Sequence, residues 1–483
     1  MTESQHARRW LILAAVALAQ LMIVLDVTVV NIALPSAQAD LSFGDNSRQW
    51  VISAYALAFG SLLLLGGRIS DLVGRKRAFV IGLLGFAGAS AAAGAAPSFE
   101  LLVAARALQG SFAALLAPTV LSILTTTFTD PQERATAFGV YGAIGGSGAA
   151  LGLLLGGTLT QWLDWRWTMY VNVAFAVPAA LAAARLLDSR APATRPRIDV
   201  PGVLLGVSGL FALVYGFANA QVHGWNAQLT VEPLTYGVAA LAVFVAVEHR
   251  AAHPLLPLTV VLDRNRGAAL LAIGITGLTM FATFLFLTYY LQQTLGFSPI
   301  RTGLAFLPMV VTVVMTATIA STRLLPRVGP GPLVPLGLAL TAAGVASLTG
   351  IDTDSTYVRA VLPGILACGV GFGLIMPPSL ATATHGVAVA DAGVASALVN
   401  TSQQTGGSLG LALLSTVFAS AVSDFAPAAG TPDAVAQMQA AVHGSTVVFW
   451  WAGGILAVGV LATALLFDRH RIPAPDRALE AAR

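Results

Sequence analysis

Fourteen apolar runs divide this chain, and each is long enough to cross a hydrocarbon core, which takes roughly 20 residues of helix. They lie near 10–35, 49–67, 77–96, 100–127, 135–160, 167–187, 200–219, 229–247, 267–292, 302–322, 332–351, 357–380, 394–422 and 445–467. Inside lipid every backbone N–H and C=O needs an internal partner, so runs of this length are helices. The expected fold class is an all-α polytopic membrane protein. Only 10% of the 483 residues are charged, against about 25% in soluble domains, which excludes a soluble multidomain enzyme. The single cysteine, Cys368, falls in an apolar run; an internal disulfide and a cysteine-rich metal site are excluded with it. Arg8 and Arg9 precede the first run and "SAQA" follows it, as in a signal peptide. That run is about twice the usual length of a signal h-region and carries an acid, Asp26. It reads as a retained span.

The cations test the count. With the N-terminus in the cytoplasm and sides alternating, Arg8, Arg9, Arg68, Arg75, Lys76, Arg77, Arg134, Arg185, Arg190, Arg195, Arg197, Arg250, Arg264, Arg266, Arg323, Arg327, Arg469, Arg471, Arg477 and Arg483 fall inside, whereas Arg48, Arg166, Arg301 and Arg359 fall outside. The positive-inside rule demands this asymmetry, and one miscounted span would invert it. An even count follows, with both termini cytoplasmic and the chain in the cell membrane. "GSFAALLAPTVLSILTTTF" from Gly110 matches "GVGFGLIMPPSLATATHGV" from Gly369 in texture; "RATAFGVYGAIGGSG" from Arg134 and "GRISDLVGRK" from Gly67 have echoes at a similar offset. Polar linkers, "DSRAPATRPRIDVPG" and "EHRAAHPLLP", bracket the seventh and eighth runs. The expected organisation is an N-terminal six-helix bundle over 1–190, a linker with two extra transmembrane helices over 191–256, a C-terminal six-helix bundle over 257–470, and a cytoplasmic tail over 471–483. Two parallel six-helix halves around a central pathway are the plan of the major facilitator fold.

Several local sequences then form a set: "LDVTVVNIALP" in the first span, "QWVISAYAL" opening the second, "GGRISDLVGRK" after it, "RALQG" in the fourth, "WRWTMYVNV" before the sixth and "LQQTLGFSPIRTGLAFLP" around the ninth and tenth. Together they closely resemble the fourteen-span drug/proton antiporter family of the major facilitator superfamily, across most of the chain. The resemblance implies proton-coupled multidrug or antibiotic efflux, with the first-span acid taking part in protonation, the fourth-span arginine in coupling, and the loop after the second span clamping the halves together. Gly67, Asp71, Gly74 and Arg75 match that gating motif. The family's fifth-span motif carries a proline after its second glycine; here Leu153 stands there, which weakens the motif as a sign of antiport.

The residues themselves support a coupling site. An ionised side chain at the centre of a span costs roughly 2.5–3.5 kcal/mol on insertion scales, so such groups face protein or water and mark function. Asp26 lies ~13 Å below the outer end of its span and Arg106 ~10 Å below its own, by the helical rise. At one depth they can pair, and a proton or substrate that disturbs the pair changes the acid's protonation; a static pair locking the first and fourth helices is the alternative. Gln20, Thr28 and Asn31 share one face of the first helix within ~80°, and Asp26 projects from another. With Gln109, and with Asn400, Gln403 and Gln404 on one face of the thirteenth span, they are candidate substrate-cavity residues; hydrogen bonding between helices is the alternative for the last group. Gly148, Gly152 and Gly156 recur every fourth residue and make a groove for helix packing. Phe281, Phe286, Tyr289 and Tyr290 offer aromatic surface to a flat ligand or to ordinary packing. Asp71 is placed to cap the following helix or to bridge to Arg75, and His385 reads as a solvated residue at a helix end.

No Walker A motif is present and no metal-ligand set appears, so the expected energy source is the proton gradient, with no cofactor and no metal. The expected partners are a small amphipathic drug-like substrate, protons and the lipid bilayer, with no nucleic acid and the chain acting as a monomer. The chain is not expected to be an enzyme. A proton-coupled importer or facilitator on the same fold is the alternative function, because fold does not set direction; a non-transporting membrane sensor is a remote one.

Overall fold

The computed structural model describes residues 3–43, 45–188, 199–251, 254–256, 261–387, 391–425 and 434–468. Among these residues there are fourteen long helical rods, one for each apolar run. The first eight are α1 (Glu3–Leu41), α2 (Asp45–Val73), α3 (Arg75–Gly94), α4 (Phe99–Thr127), α5 (Pro131–Trp162), α6 (Trp167–Leu186), α7 (Val200–His223) and α8 (Gln228–Glu248). Then come α9 (Arg264–Tyr289), α10 (Pro299–Ile319), α11 (Pro330–Ser347), α12 (Leu362–Thr384), α13 (Ala392–Phe425) and α14 (Ala434–Leu466). Single π turns extend α9 through Tyr290–Thr294 and α10 through Ala320–Leu324, and another opens α12 at Tyr357–Val361. Thirteen of the rods are long and apolar enough to cross a membrane by length and composition; α5 occupies the fifth predicted position.

The helix starts follow local chemistry. Asp130 accepts from the N–H groups of Gln132 and Glu133 just before Pro131, and Asp199 and Asp263 accept from Gly202 and Arg266 in the same way. Ser98 and Ser298 cap α4 and α10. Such caps supply partners for the orphan donors of a first turn. The turns α2–α3 and α10–α11 each hinge on one glycine, Gly74 at φ 93° and Gly329 at φ 74°, a region that side chains with a Cβ avoid. These two turns sit at the same places in the two halves of the sequence repeat.

Helices α1 to α6 pack mainly among themselves, as do α9 to α14. The halves meet along two seams. On one side α5 lies against α10 and α12; on the other α2 and α4 lie against α13. The extra pair, α7 and α8, packs as a hairpin, with α7 seated against both α2 and α13. Trp225 at its turn donates its indole N–H to Thr416 Oγ1 of α13 at 2.8 Å. The hairpin therefore covers the α2–α13 seam, and the α5–α10 seam is left to those two helices.

Close crossings repeat in both halves. A Cβ at Gly148 or Gly152 would overlap the side chains of Val24 and Thr28 on α1, and one at Gly156 would press on Val29. In the second half, a Cβ at Gly406 or Gly410 of α13 would overlap the carbonyls of Gly274 and Leu278 on α9. Small residues let two backbones approach where lipid offers no hydrophobic drive for association. With Leu153 in its middle turns, α5 carries no internal proline and runs unbroken to Trp162.

Candidate functional site

Asp26 and Arg106 come together. Arg106 Nη1 donates to Asp26 Oδ2 at 2.6 Å, and both residues are 1% exposed. The aspartate's other oxygen, Oδ1, accepts from the amides of Gln109 at 3.1 Å and Asn172 at 2.8 Å. Arg106 also donates to Gln109 Oε1 at 3.0 Å and, through Nε, to the Val51 carbonyl at 3.2 Å. Its guanidinium lies 4.5 Å from the centre of the Tyr55 ring. Ser90 Oγ closes the group, accepting from Gln109 at 2.5 Å and from Asn172 at 3.2 Å. Five helices of the first half, α1, α2, α3, α4 and α6, thus converge on one carboxylate. A buried ion pair stands only when its remaining donors and acceptors are met, and this one has partners on both carboxylate oxygens. Two polar atoms in it, the Tyr55 hydroxyl and Asn172 Oδ1, are buried without a hydrogen-bond partner.

Gln109 does not line the substrate cavity that the sequence predicts for it; it is 0% exposed and belongs to the ion-pair cluster inside the first bundle. Its i, i+3 spacing from Arg106 puts it on the arginine's own face. Thr28 also departs from a cavity position. Its hydroxyl donates back to Leu25 O at 3.0 Å and reaches Gly148 O at 3.4 Å, which seats it in the α1–α5 crossing. Asn400 is 7% exposed and donates to Ser396 O of its own helix at 3.0 Å. Gln20 is buried with Oε1 unpartnered, while Gln403 and Gln404 are partly exposed. The Asn31 side chain lies outside the described residues. Among the aromatics, Phe286 stacks on Phe418 at 4.7 Å and Tyr290 donates to Asp352 O at 2.8 Å, so both are packing residues, whereas Phe281 and Tyr289 are exposed.

Two of the four candidate gating residues, Gly67 and Asp71, lie where the halves touch. Gly393, near the start of α13, donates its N–H to Asp71 Oδ1 at 3.3 Å. A Cβ at Gly67 would come within 2.6 Å of Gly393 O and 2.9 Å of the Ala397 side chain. Asp71 therefore does not cap α3, whose N-cap is Gly74 with no side-chain bond. It sits instead at the N-terminus of α13 in the other half, where a carboxylate meets unpaired N–H groups and the positive end of the helix dipole. Arg75 lies 3.9 Å from Asp71 and donates to Ser122 Oγ of α4 at 2.6 Å. Beside it Arg68 approaches Asp391 at 3.9 Å. On the other seam, Arg134 of α5 donates to Thr384 Oγ1 of α12 at 3.2 Å, and Arg266 donates to the His385 carbonyl at 2.9 Å. The contacts of Gly67 and Asp71 with Gly393, of Arg68 with Asp391 and of Arg134 with Thr384 pin the halves together at the end of the molecule that carries the α2–α3 turn, while Arg75–Ser122 and Arg266–His385 brace each half from within. His385 is exposed at its helix end, as expected; partial desolvation and the guanidiniums of Arg134 and Arg266 nevertheless hold its imidazole below the ordinary histidine value, with Asp263 acting in the opposite sense.

Sequence reasoning missed Asn172, Ser90 and Tyr55. Asn172 left a trace as a lone amide in the apolar run of α6, and Tyr55 stands inside the "QWVISAYAL" motif. Ser90, one hydroxyl among alanines, left none.

Two helix bundles meeting along closable seams, with a charge pair sealed inside one of them, define a membrane transporter rather than an enzyme. The chain belongs to the Major Facilitator Superfamily, whose family model matches residues 16–411. It is similar to the puromycin resistance protein of Streptomyces alboniger, at 49% identity over 463 residues, covering 95% of this chain and 92% of that one. It is also similar to the cephamycin export protein of Amycolatopsis lactamdurans, at 37% identity over 450 residues, covering 92% of this chain and 90% of that one. Among solved structures, the human organic anion transporter MFSD10 shares the fold at a TM-score of 0.63 and 15% identity, covering 94% of this chain and 99% of its own.

Proposed function

We propose that this transporter exports an antibiotic or similar amphipathic compound in exchange for protons. The Asp26–Arg106 cluster carries the reading, because a titratable group sealed in a bundle and held by five helices can pass its charge state to their packing. The names of the relatives, a puromycin resistance protein and a cephamycin export protein, support export and the chemical class of cargo. The arginine distribution supports cytoplasmic termini and, with them, a cytoplasmic location for the closed end at Gly67, Asp71 and Gly393. The chain acts as a monomer in the cell membrane and draws on the proton gradient alone.

In the proposed cycle Asp26 takes a proton from outside and its ion pair with Arg106 breaks. Arg106 keeps three other contacts, with Gln109, the Val51 carbonyl and the Tyr55 ring, so its charge is not stranded. The freed contact between α1 and α4 biases the halves toward opening inward. Drug binding and proton release to the cytoplasm then reset the pair. The test is drug uptake into everted vesicles under an imposed pH gradient. Wild type accumulates drug and Asp26→Asn does not; normal accumulation by Asp26→Asn would falsify the scheme.

A further inference from the structure

The extra hairpin holds a second acidic site, remote from Asp26. Asp199 caps α7, its Oδ1 accepting from Gly202 N at 3.1 Å. Glu248 ends α8 and is 3% exposed; its Oε2 accepts from Leu256 N at 3.0 Å. The remaining oxygen of each acid, Asp199 Oδ2 and Glu248 Oε1, is buried without a hydrogen-bond partner. Both crowd the same place, which a Cβ on Gly202 would occupy. Carboxylate oxygens are acceptors only. Two of them sealed together repel if both acids are ionised, and each is then an unsatisfied buried group, a costly arrangement. One proton between them removes both penalties.

We propose that Asp199 and Glu248 form a proton-binding site that fastens the hairpin to the gate seam. The link is through Leu255 and Leu256, which follow α8. Glu248 accepts the Leu256 N–H, and the two leucines are buried in one cluster with Leu64 of α2, Leu210 of α7, Phe244 of α8, and Val394 and Ala397 of α13. Val394 adjoins Gly393, the residue on which Gly67 and Asp71 close. When the shared proton leaves, the acids part, the leucines lose their anchor, and the packing behind the gate loosens. Among the described residues, Asp199 is the titratable group facing Glu248 across the hairpin; His249 and Arg250 follow it as exposed residues of its own segment. At this level of the neighbouring helices, Arg68 of α2 faces Asp391 beside α13, and Asp71 faces Arg75.

The site stands apart from the Asp26 scheme, and its test requires no transport. Infrared spectra of the intact protein in lipid nanodiscs, and its thermal unfolding, are followed from about pH 6 to about pH 9, a range that free carboxyls do not reach. Wild type should show a protonated-carboxyl band and a melting temperature that falls as the band disappears with rising pH. Glu248→Gln and Asp199→Asn each supply a fixed N–H donor in place of the proton and keep the Leu256 and Gly202 contacts. Each should fold, lose that band, and lose the accompanying pH dependence of melting. A band unchanged in both variants would overturn the proposal. So would a melting temperature governed by replacing sodium and potassium with choline rather than by pH, which would make the occupant a metal cation.

Discussion

Asp26 and Arg106 were readable as a pair because each is a lone charge in an apolar run at matching depth. Their amide partners were not, because a neutral amide in a span suits a cavity wall, an interhelical bond or a charge cluster equally well. Gln109 and Asn172 turn out to spend their donors on Asp26 Oδ1. Their loss should therefore act through the aspartate. Asn172→Leu removes a hydrogen bond to a charged group, a loss of about 1.5–3 kcal/mol. Chemical unfolding in mixed micelles should show a decrease of that order, with Asn172→Asp worse because it sets a second acid against the first. Arg106→Ala strands a buried carboxylate and should cost about 3–5 kcal/mol. If it unfolds no more readily than Asp26→Asn, the pair is not buried as described.

At the level of helices, the four-residue glycine spacing in α5 announced a packing groove, and the groove receives Val24, Thr28 and Val29 of α1. The corresponding crossing in the second half, Gly406 and Gly410 of α13 against α9, is just as tight. Its spacing is less legible in the sequence, because Gly407 stands between the two glycines and the amides of Gln403 and Gln404 share the helix. Both crossings should reject side chains. Gly152→Val and Gly410→Val overpack a close contact, which costs typically 1–3 kcal/mol or more where backbone is struck. Gly145→Ala is the control, since nothing lies within 4 Å of its new Cβ. Melting temperatures of the three variants should separate the first two from the third. If Gly410→Val melts like Gly145→Ala, the α9–α13 crossing is looser than described.

Across the whole molecule, the two halves close on one another at one end. Three elements meet there: the α2–α3 turn on the start of α13, Arg134 on the end of α12, and the extra hairpin over the α2–α13 seam. Asp71→Asn should keep the Gly393 hydrogen bond and lose the attraction to the α13 dipole. Cysteines placed at Arg68 and Asp391 should then cross-link more slowly than in the otherwise unaltered protein; an unchanged rate would leave the dipole contact with no role in closure. His385 adds a pH limit. Its imidazole sits below the ordinary histidine value beside Arg134 and Arg266. Neutral His385 is compatible with the closed end, so this stability is present above about pH 6.5 and is lost as pH falls through the depressed value. Melting between about pH 7.5 and about pH 5 should decline more steeply in wild type than in His385→Asn.

The number of helical runs, their order and the repeat all lay in the sequence, because lipid leaves a backbone one local solution, the helix. Asp26, Arg106 and the charges and glycines of the α2–α3 turn were likewise visible as residues that a membrane segment tolerates only for cause. Which amides serve the charge and which line a surface was settled by packing. So was the partner of Asp71, which is the N–H of Gly393, 322 positions along the chain. Helix rotation and the contact between halves decide such matters. Both are set by the summed fit of many small contacts, none of which leaves a mark in a run of alanines, glycines and leucines.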